Sequence, residues 1–282
     1  MASDLAPELR QIDWSRPWYD SVRPTHEALA FDAGDFTGAF NRNAARLALR
    51  NHTGLPIAFV PQESLPEGTA YEAFISATGQ VPTRDNLHDF FNGLVWQTFP
   101  LIKRELNALQ AAQIAAAGGI GKSRGPARDA ATIFDENAAL LVVRASSEGR
   151  ELVDELRAHC WDAVLFEKRD MFGTDAQLWL FGHALMEKLV APRKAITAHT
   201  RVVFADDEYF RLDPGAQRAW IDATVAATLR GEGLTTSSFT PLPVLGVPGW
   251  WQGQDRDFYL DASVFRPKRV ALTDSHERAR HG

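Results

Sequence analysis

Residues 82–100 read PTRDNLHDFFNGLVWQTFP, and they decide how the rest of the chain is read. Asn86 can cap a helix through its side-chain oxygen, and the apolar run that follows carries that helix to about Phe99. Pro100 suits the first turn of a new helix better than the middle of an old one. The stretch therefore predicts two helices in one long segment, the second running through LIKRELNALQAAQIAAA to Gly118 and Gly119. Its polar residues are the problem it poses. Asp89 falls at the third helical position, where a carboxylate reaches back to the cap and suits the positive end of the helix dipole. His88 and Asn92 have no such explanation. They lie four apart, so both point from one helix face. The dipole disfavours a charged His88, while Asp85 and Asp89 favour it, a balance that suits a base or a ligand.

Outward from that segment, short elements alternate with turns. Asp35 opens a helix that ends before HTGLP, IAFVP reads as a buried strand and GTAYEAFISATG as a helix. TIFDENAALLVV, with apolar residues on both sides of Asp135, Glu136 and Asn137, predicts two strands joined by a hairpin. SEGRELVDELRAHCWDAVLFEKRD reads as helix with a break near Cys160, and DAQLWLFGHALMEKLV as a strongly apolar helix. TRVVFA is a strand. DPGAQRAWIDATVAATLRGEG is a helix with Asp213 as its cap and Gly231 past its end. Trp14, Trp18 and Tyr19 should anchor an extended N-terminal arm by burying their rings. The Pro-, Gly- and aromatic-rich run TPLPVLGVPGWWQGQDRDFYLDASVFRP is too apolar for disorder and should wrap the body as an ordered loop. The expectation is an α+β fold, mainly helical, with a small sheet: one domain over residues 1–267 and a polar tail over 268–282.

Composition narrows the function. The 282 residues are 45% hydrophobic and 23% charged, the balance of a globular protein with a sizeable core. A net charge of −6 opposes nucleic-acid binding unless cations are gathered in one place. The single Cys160 excludes an intrachain disulfide and suits a reducing compartment. The start lacks the basic and apolar regions of a signal peptide and no run is long enough to span a membrane, so the expectation is a soluble cytoplasmic protein. AAGGIGKSRG, residues 116–125, resembles a phosphate-binding loop, but Ala116 stands where its first Gly belongs and no strand precedes it. It reads as a connector. Its cations Lys122 and Arg124, with Arg128, could hold an anionic group.

The chemistry concentrates in three places. His183 and Glu187 are four apart and could hold one metal ion, with Asp135 completing the set. His88 or Glu136 could then activate a water, Asn92 would face the same cleft, and Arg124, Arg128 and Trp251 would bind the substrate. This is the reading of a hydrolase acting on a small or anionic substrate, with a divalent metal as its candidate cofactor. The competing reading is a non-catalytic binding or interaction protein in which the same polar groups form a buried network. No Gly-x-Ser-x-Gly elbow, His-Glu-x-x-His or Cys–His pair supports the commoner hydrolase classes. NLHDFFNGLVWQTFPLIKRELNALQ, RGPARDAATIFDEN, FGHALMEKLVAP and PLPVLGVPGWW with FYLDASVFRP resemble, in that order, a bacterial family of uncharacterised proteins, domain of unknown function 3025. The resemblance runs from Trp14 to Pro267. It implies one domain and assigns no activity, cofactor or catalytic residue.

Overall fold

A computed structural model describes residues 5–29, 35–117 and 125–268. The helices are α1 (Leu5–Leu9), α2 (Arg23–Leu29), α3 (Phe36–Arg46), α4 (Tyr71–Thr78), α5 (Leu87–Thr98), α6 (Pro100–Ala116), α7 (Pro126–Asn137), α8 (Ser147–Ala158), α9 (His183–Lys188), α10 (Pro214–Glu232) and α11 (Arg256–Tyr259). The strands are β1 (Ala58–Pro61), β2 (Gln80–Thr83), β3 (Ala138–Arg144), β4 (Ala176–Leu180), β5 (Thr197–Ala205) and β6 (Thr240–Pro243). The fold is α+β and mainly helical, as the sequence predicts. Among the described residues no helix is long and apolar enough to cross a membrane.

A four-stranded sheet in the order β4-β3-β5-β6 forms the centre, with β3 parallel to β5 and the outer pairs antiparallel. β1 and β2 form a separate parallel pair. β3 is AALLVVR, an apolar run without alternation, because both of its faces are covered. Leu140 and Val142 enter the main core, whereas Leu141 and Val143 enter a second core that Trp161, Tyr259 and Phe265 help to close. The period of two along a strand divides the molecule between them.

The opening segment folds as two helices that break at Phe99. Asn86 Oδ1 accepts from Asp89 N at 2.8 Å, which fixes the start of α5. Pro100 opens α6, and the first free N–H groups of that helix are satisfied from elsewhere. Asp222 on α10 accepts from Leu101 N at 3.0 Å and Ile102 N at 2.9 Å. The predicted reach of Asp89 back to the cap is not made, because the Asn86 N–H donates to the Arg84 carbonyl at 3.0 Å. The Asp89 carboxylate passes the cap residue and accepts from Arg84 N, Nε and Nη2 at 2.7, 3.0 and 3.0 Å.

Several expectations are corrected. The Asp135–Asn137 stretch is not a hairpin turn: it ends α7, and only Ala138 onward is strand. Ala130, Ala131 and Phe134 already carry a helical spacing that begins before that stretch, with Pro126 as the first helical residue. DAQLWLFGHALMEKLV is not one helix but β4 and α9, divided at Phe181 and Gly182. A Cβ on Gly182 would lie 2.5 Å from Ala138 N and from Glu136 O, so no larger residue fits this crossing of two backbones. Gly231 lies inside α10, which ends at Gly233 with φ of 69°. The N-terminal segment buries Trp18 and Tyr19 as expected, but in helical turns and not as an extended arm. The C-terminal run is ordered as expected and contains β6 and α11. The predicted break near Cys160 is present, since α8 ends at His159 in a left-handed conformation. The connector at 118–124 and the tail at 269–282 lie outside the described residues.

Burial pushes the Asp222 carboxyl up to about 6, against the pull of the Ile102 and Leu101 N–H groups. A raised acid binds its proton more tightly in the folded chain, so its contribution is full below the unfolded value of about 3.8 and is lost as pH rises through about 6. Urea unfolding of Asp222→Asn between pH 4 and 7 should lack this loss, which amounts to roughly 3 kcal/mol at most. Parallel stability curves for the two proteins would contradict the assignment.

Candidate functional site

Four helices bring their polar ends together. His88 lies in the first turn of α5, Lys103 in the first turn of α6, Asp135 and Glu136 in the last turn of α7, and His183 at the start of α9 with Glu187 one turn on. Hydrogen-bonded turns set these positions. The Asn86 cap places His88, and the tight crossing at Gly182 lays His183 beside the backbone of Glu136.

The two histidines face each other through their Nε2 atoms at 3.1 Å, with ring centroids 4.5 Å apart and planes at 78°. His88 Nδ1 lies 3.1 Å from Glu187 Oε2. An ionised carboxylate only accepts, so His88 Nδ1 is the donor there and a neutral His88 keeps its lone pair on Nε2. His183 Nδ1 is buried and lies 4.0 Å from Asp135 Oδ1, too far for a hydrogen bond. Burial drives the His183 imidazole down to about 3, with the Asp135 carboxylate opposing that shift and the Lys103 charge adding to it. At neutral pH His183 therefore carries one N–H and one lone pair. Glu136 completes a group in which one ligand atom from each of His88, Glu136 and His183 lies within 4.8 Å of the others. Burial raises the Glu136 carboxyl; His88 counters this and Asp135 adds to it.

Beneath the histidines runs a buried polar chain. Lys103 Nζ donates to Asp135 Oδ1 at 2.5 Å and to Asn92 Oδ1 at 2.8 Å, and Asn92 Nδ2 donates to the Tyr71 hydroxyl at 3.1 Å. The ammonium lies 5.3 Å from the Trp96 ring centroid. Burial alone would raise the Asp135 carboxyl, but Lys103, followed by His183, holds it below the ordinary value. Burial and the nearby Asp89 and Asp135 charges keep the Tyr71 phenol protonated.

Exposure across the cluster is uneven: the side chains of His88 and Glu187 are 30% and 40% exposed, and those of His183 and Lys103 only 5% each. Of the residues singled out in the sequence, His88, Asn92, Asp135, Glu136, His183 and Glu187 belong to this one connected group. Of the expected substrate-binding residues, Arg128 and Trp251 form no hydrogen bond or ion pair with this group. Arg128 is eight residues before Glu136, about 12 Å along the helix axis, and lies 3.9 Å from Glu72. Trp251 is half-buried against the main core on the C-terminal segment. Arg124 is outside the described residues. Lys103 and Tyr71 were not singled out. The signal for Lys103 was a lysine on the buried stripe that Phe99, Ile102 and Leu106 define.

The fold and the site together define an α+β protein with a histidine and carboxylate cluster at the meeting point of four helix ends. Residues 57–269 match the family described as "Protein of unknown function (DUF3025)", and the chain belongs to that family. No curated protein and no solved structure matches the chain.

Lys103→Met should cost about 3–5 kcal/mol in urea unfolding, because it leaves the Asp135 charge buried without a partner. The double variant Lys103→Met with Asp135→Asn should recover a substantial part of that loss. Equal losses in the single and double variants would show that Lys103 acts through packing alone. Gly182→Ala should also destabilise the chain, by about 1–3 kcal/mol for an overpacked backbone contact.

Proposed function

We propose that this chain is a divalent-metal-dependent hydrolase in which His88, His183 and Glu136 hold the ion. The observation that carries the proposal is the 3.1 Å between the two Nε2 atoms, with the other nitrogen of His88 on a carboxylate. Two imidazole nitrogens about 2.0–2.1 Å from one ion at a tetrahedral angle lie about 3.3 Å apart, close to the spacing found. A carboxylate on the far nitrogen is the usual support for a ligating histidine. The protonation of His183 favours the same reading. If His183 Nε2 donated to His88, its buried Nδ1 would be a lone pair facing the Asp135 carboxylate. If both Nε2 lone pairs met a cation, the N–H would sit on Nδ1 and turn toward that charge.

The roles then differ from those expected in sequence. Glu187 orients His88, and Asp135 is tied to Lys103, so neither is a ligand. Asn92 holds Lys103. Glu187, on the nitrogen of His88 that faces away from the ion, is a positioning group and not the base. A divalent ion supplies Lewis acidity and lowers the pKa of water. Three protein ligands leave positions open on the solvent side, the arrangement of catalytic and not structural sites.

A second reading has its own support: 3.1 Å is also the length of an N–H···N hydrogen bond, and Lys103, Asn92 and Asp135 are satisfied without an ion. Metal analysis separates the two. Protein purified without chelator and dialysed against zinc or manganese should hold about one ion per chain, and His183→Ala and Glu136→Gln should hold none. Glu187→Gln should bind about 10–100-fold more weakly. Hydrolysis of p-nitrophenyl esters or phosphates should vanish with chelator and return with the ion. A wild-type chain that takes up no ion is the structural network alone.

A further inference from the structure

The fold meets the condition that composition sets for nucleic-acid binding, because it gathers cations in one place. Two adjoining clefts of about 580 and 430 Å³ lie along the start of β5, the larger reaching to β6 and the C-terminal segment, and Ala195 and Thr197 line both. Arg266 and Lys268 line the larger cleft, and Lys188 and Arg193 the smaller. Neither lining contains an Asp or a Glu. In a chain of net charge −6, such a lining concentrates positive field on one face.

These charges are reachable and uncompensated. All four side chains belong to exposed residues, and none forms an ion pair among the described residues. Lys188 Nζ donates to Asn137 Oδ1 at 2.8 Å, a neutral partner that leaves its charge in place. Arg266 is held without being neutralised. Its Nε donates to the Ser263 carbonyl at 3.0 Å, and its own carbonyl accepts from Trp161 Nε1 at 2.7 Å and His159 Nδ1 at 3.2 Å. Asp261, which accepts from the Ser263 hydroxyl at the rim, is balanced by Lys194 at 2.9 Å. The larger cleft also has an apolar wall in Pro241, Val264 and Pro267, all of them open to solvent at least in part.

We propose that this groove binds a short stretch of single-stranded nucleic acid, its phosphates on Lys188, Arg193, Arg266 and Lys268 and its bases against the apolar wall. Cations spread over two joined clefts match successive phosphates better than they match one small anion. A bare polyphosphate would leave Pro241, Val264 and Pro267 without a partner, and a duplex is too broad to enter clefts of this size. With no exposed aromatic ring in the lining, electrostatics carries the affinity, so binding is tolerant of sequence and sensitive to salt.

Fluorescence anisotropy of a labelled oligothymidylate of about ten residues, added to the chelator-treated full chain, tests this apart from the metal reading. Binding should saturate at about 50 mM salt, and the logarithm of the affinity should fall with that of the salt concentration with a slope near −3, about −0.7 for each of four phosphates. Arg193→Gln and Arg266→Gln should each weaken binding several-fold and flatten the slope by roughly 0.7, with Tm unchanged because both side chains are exposed. Arg211→Gln removes the same charge from an exposed residue that lines neither cleft, and should leave affinity and slope as they are. Unlabelled duplex and inorganic polyphosphate of equal phosphate count should each compete at least about tenfold more weakly than the single strand. No saturable binding, losses in Arg211→Gln equal to those in the groove variants, or polyphosphate or duplex competing as well as the single strand would each overturn the proposal.

Discussion

The buried ion pair of Lys103 and Asp135 is the interaction on which the site depends. Two charges removed from water are costly unless each finds its partners, and here both do. Lys103 meets Asp135, Asn92 and the face of Trp96, so one ammonium ties α5, α6 and α7 together. Asp135 in turn stands beside Glu136 and faces His183. Without the lysine the end of α7 would carry two carboxylates in a place where burial and the negative end of the helix dipole both oppose them. Whatever else the cluster does, this pair makes its acidic side affordable.

The histidines stand at the opposite kind of helix end. His88 lies in the first turn of α5 and His183 opens α9. Burial drives the His183 imidazole down to about 3. The arrangement thus brings His88 and His183 together beside the Glu136 carboxylate.

Much of this was legible because it is local. The Asn86 and Asp213 caps, the break at Pro100 and the buried run of β3 depend on a few neighbouring residues, and the structure has each of them. His88 and Asn92 share a face because a helix repeats every 3.6 residues, which needs no tertiary knowledge. The spacing of His183 and Glu187 on one helix was legible, but the contact of Glu187 with His88, ninety-nine residues away in sequence, was not. Other features were hidden for physical reasons. Glu136 and Asp135 look like turn residues when the helix before them is missed. The strand-to-helix change at Gly182 is dictated by the backbone of residues 136–138, which is remote in sequence. Lys103 is an ordinary surface residue until its stripe is known to be buried.

The central claim is that His88 and His183 share one divalent ion through their Nε2 atoms, and zinc-edge X-ray absorption of the zinc-loaded chain tests it most directly. The account predicts two imidazole nitrogens at about 2.0–2.1 Å and a carboxylate oxygen at about 2.0–2.2 Å, with one imidazole lost in His88→Ala. A shell of oxygen atoms alone, unchanged in that variant, would contradict it.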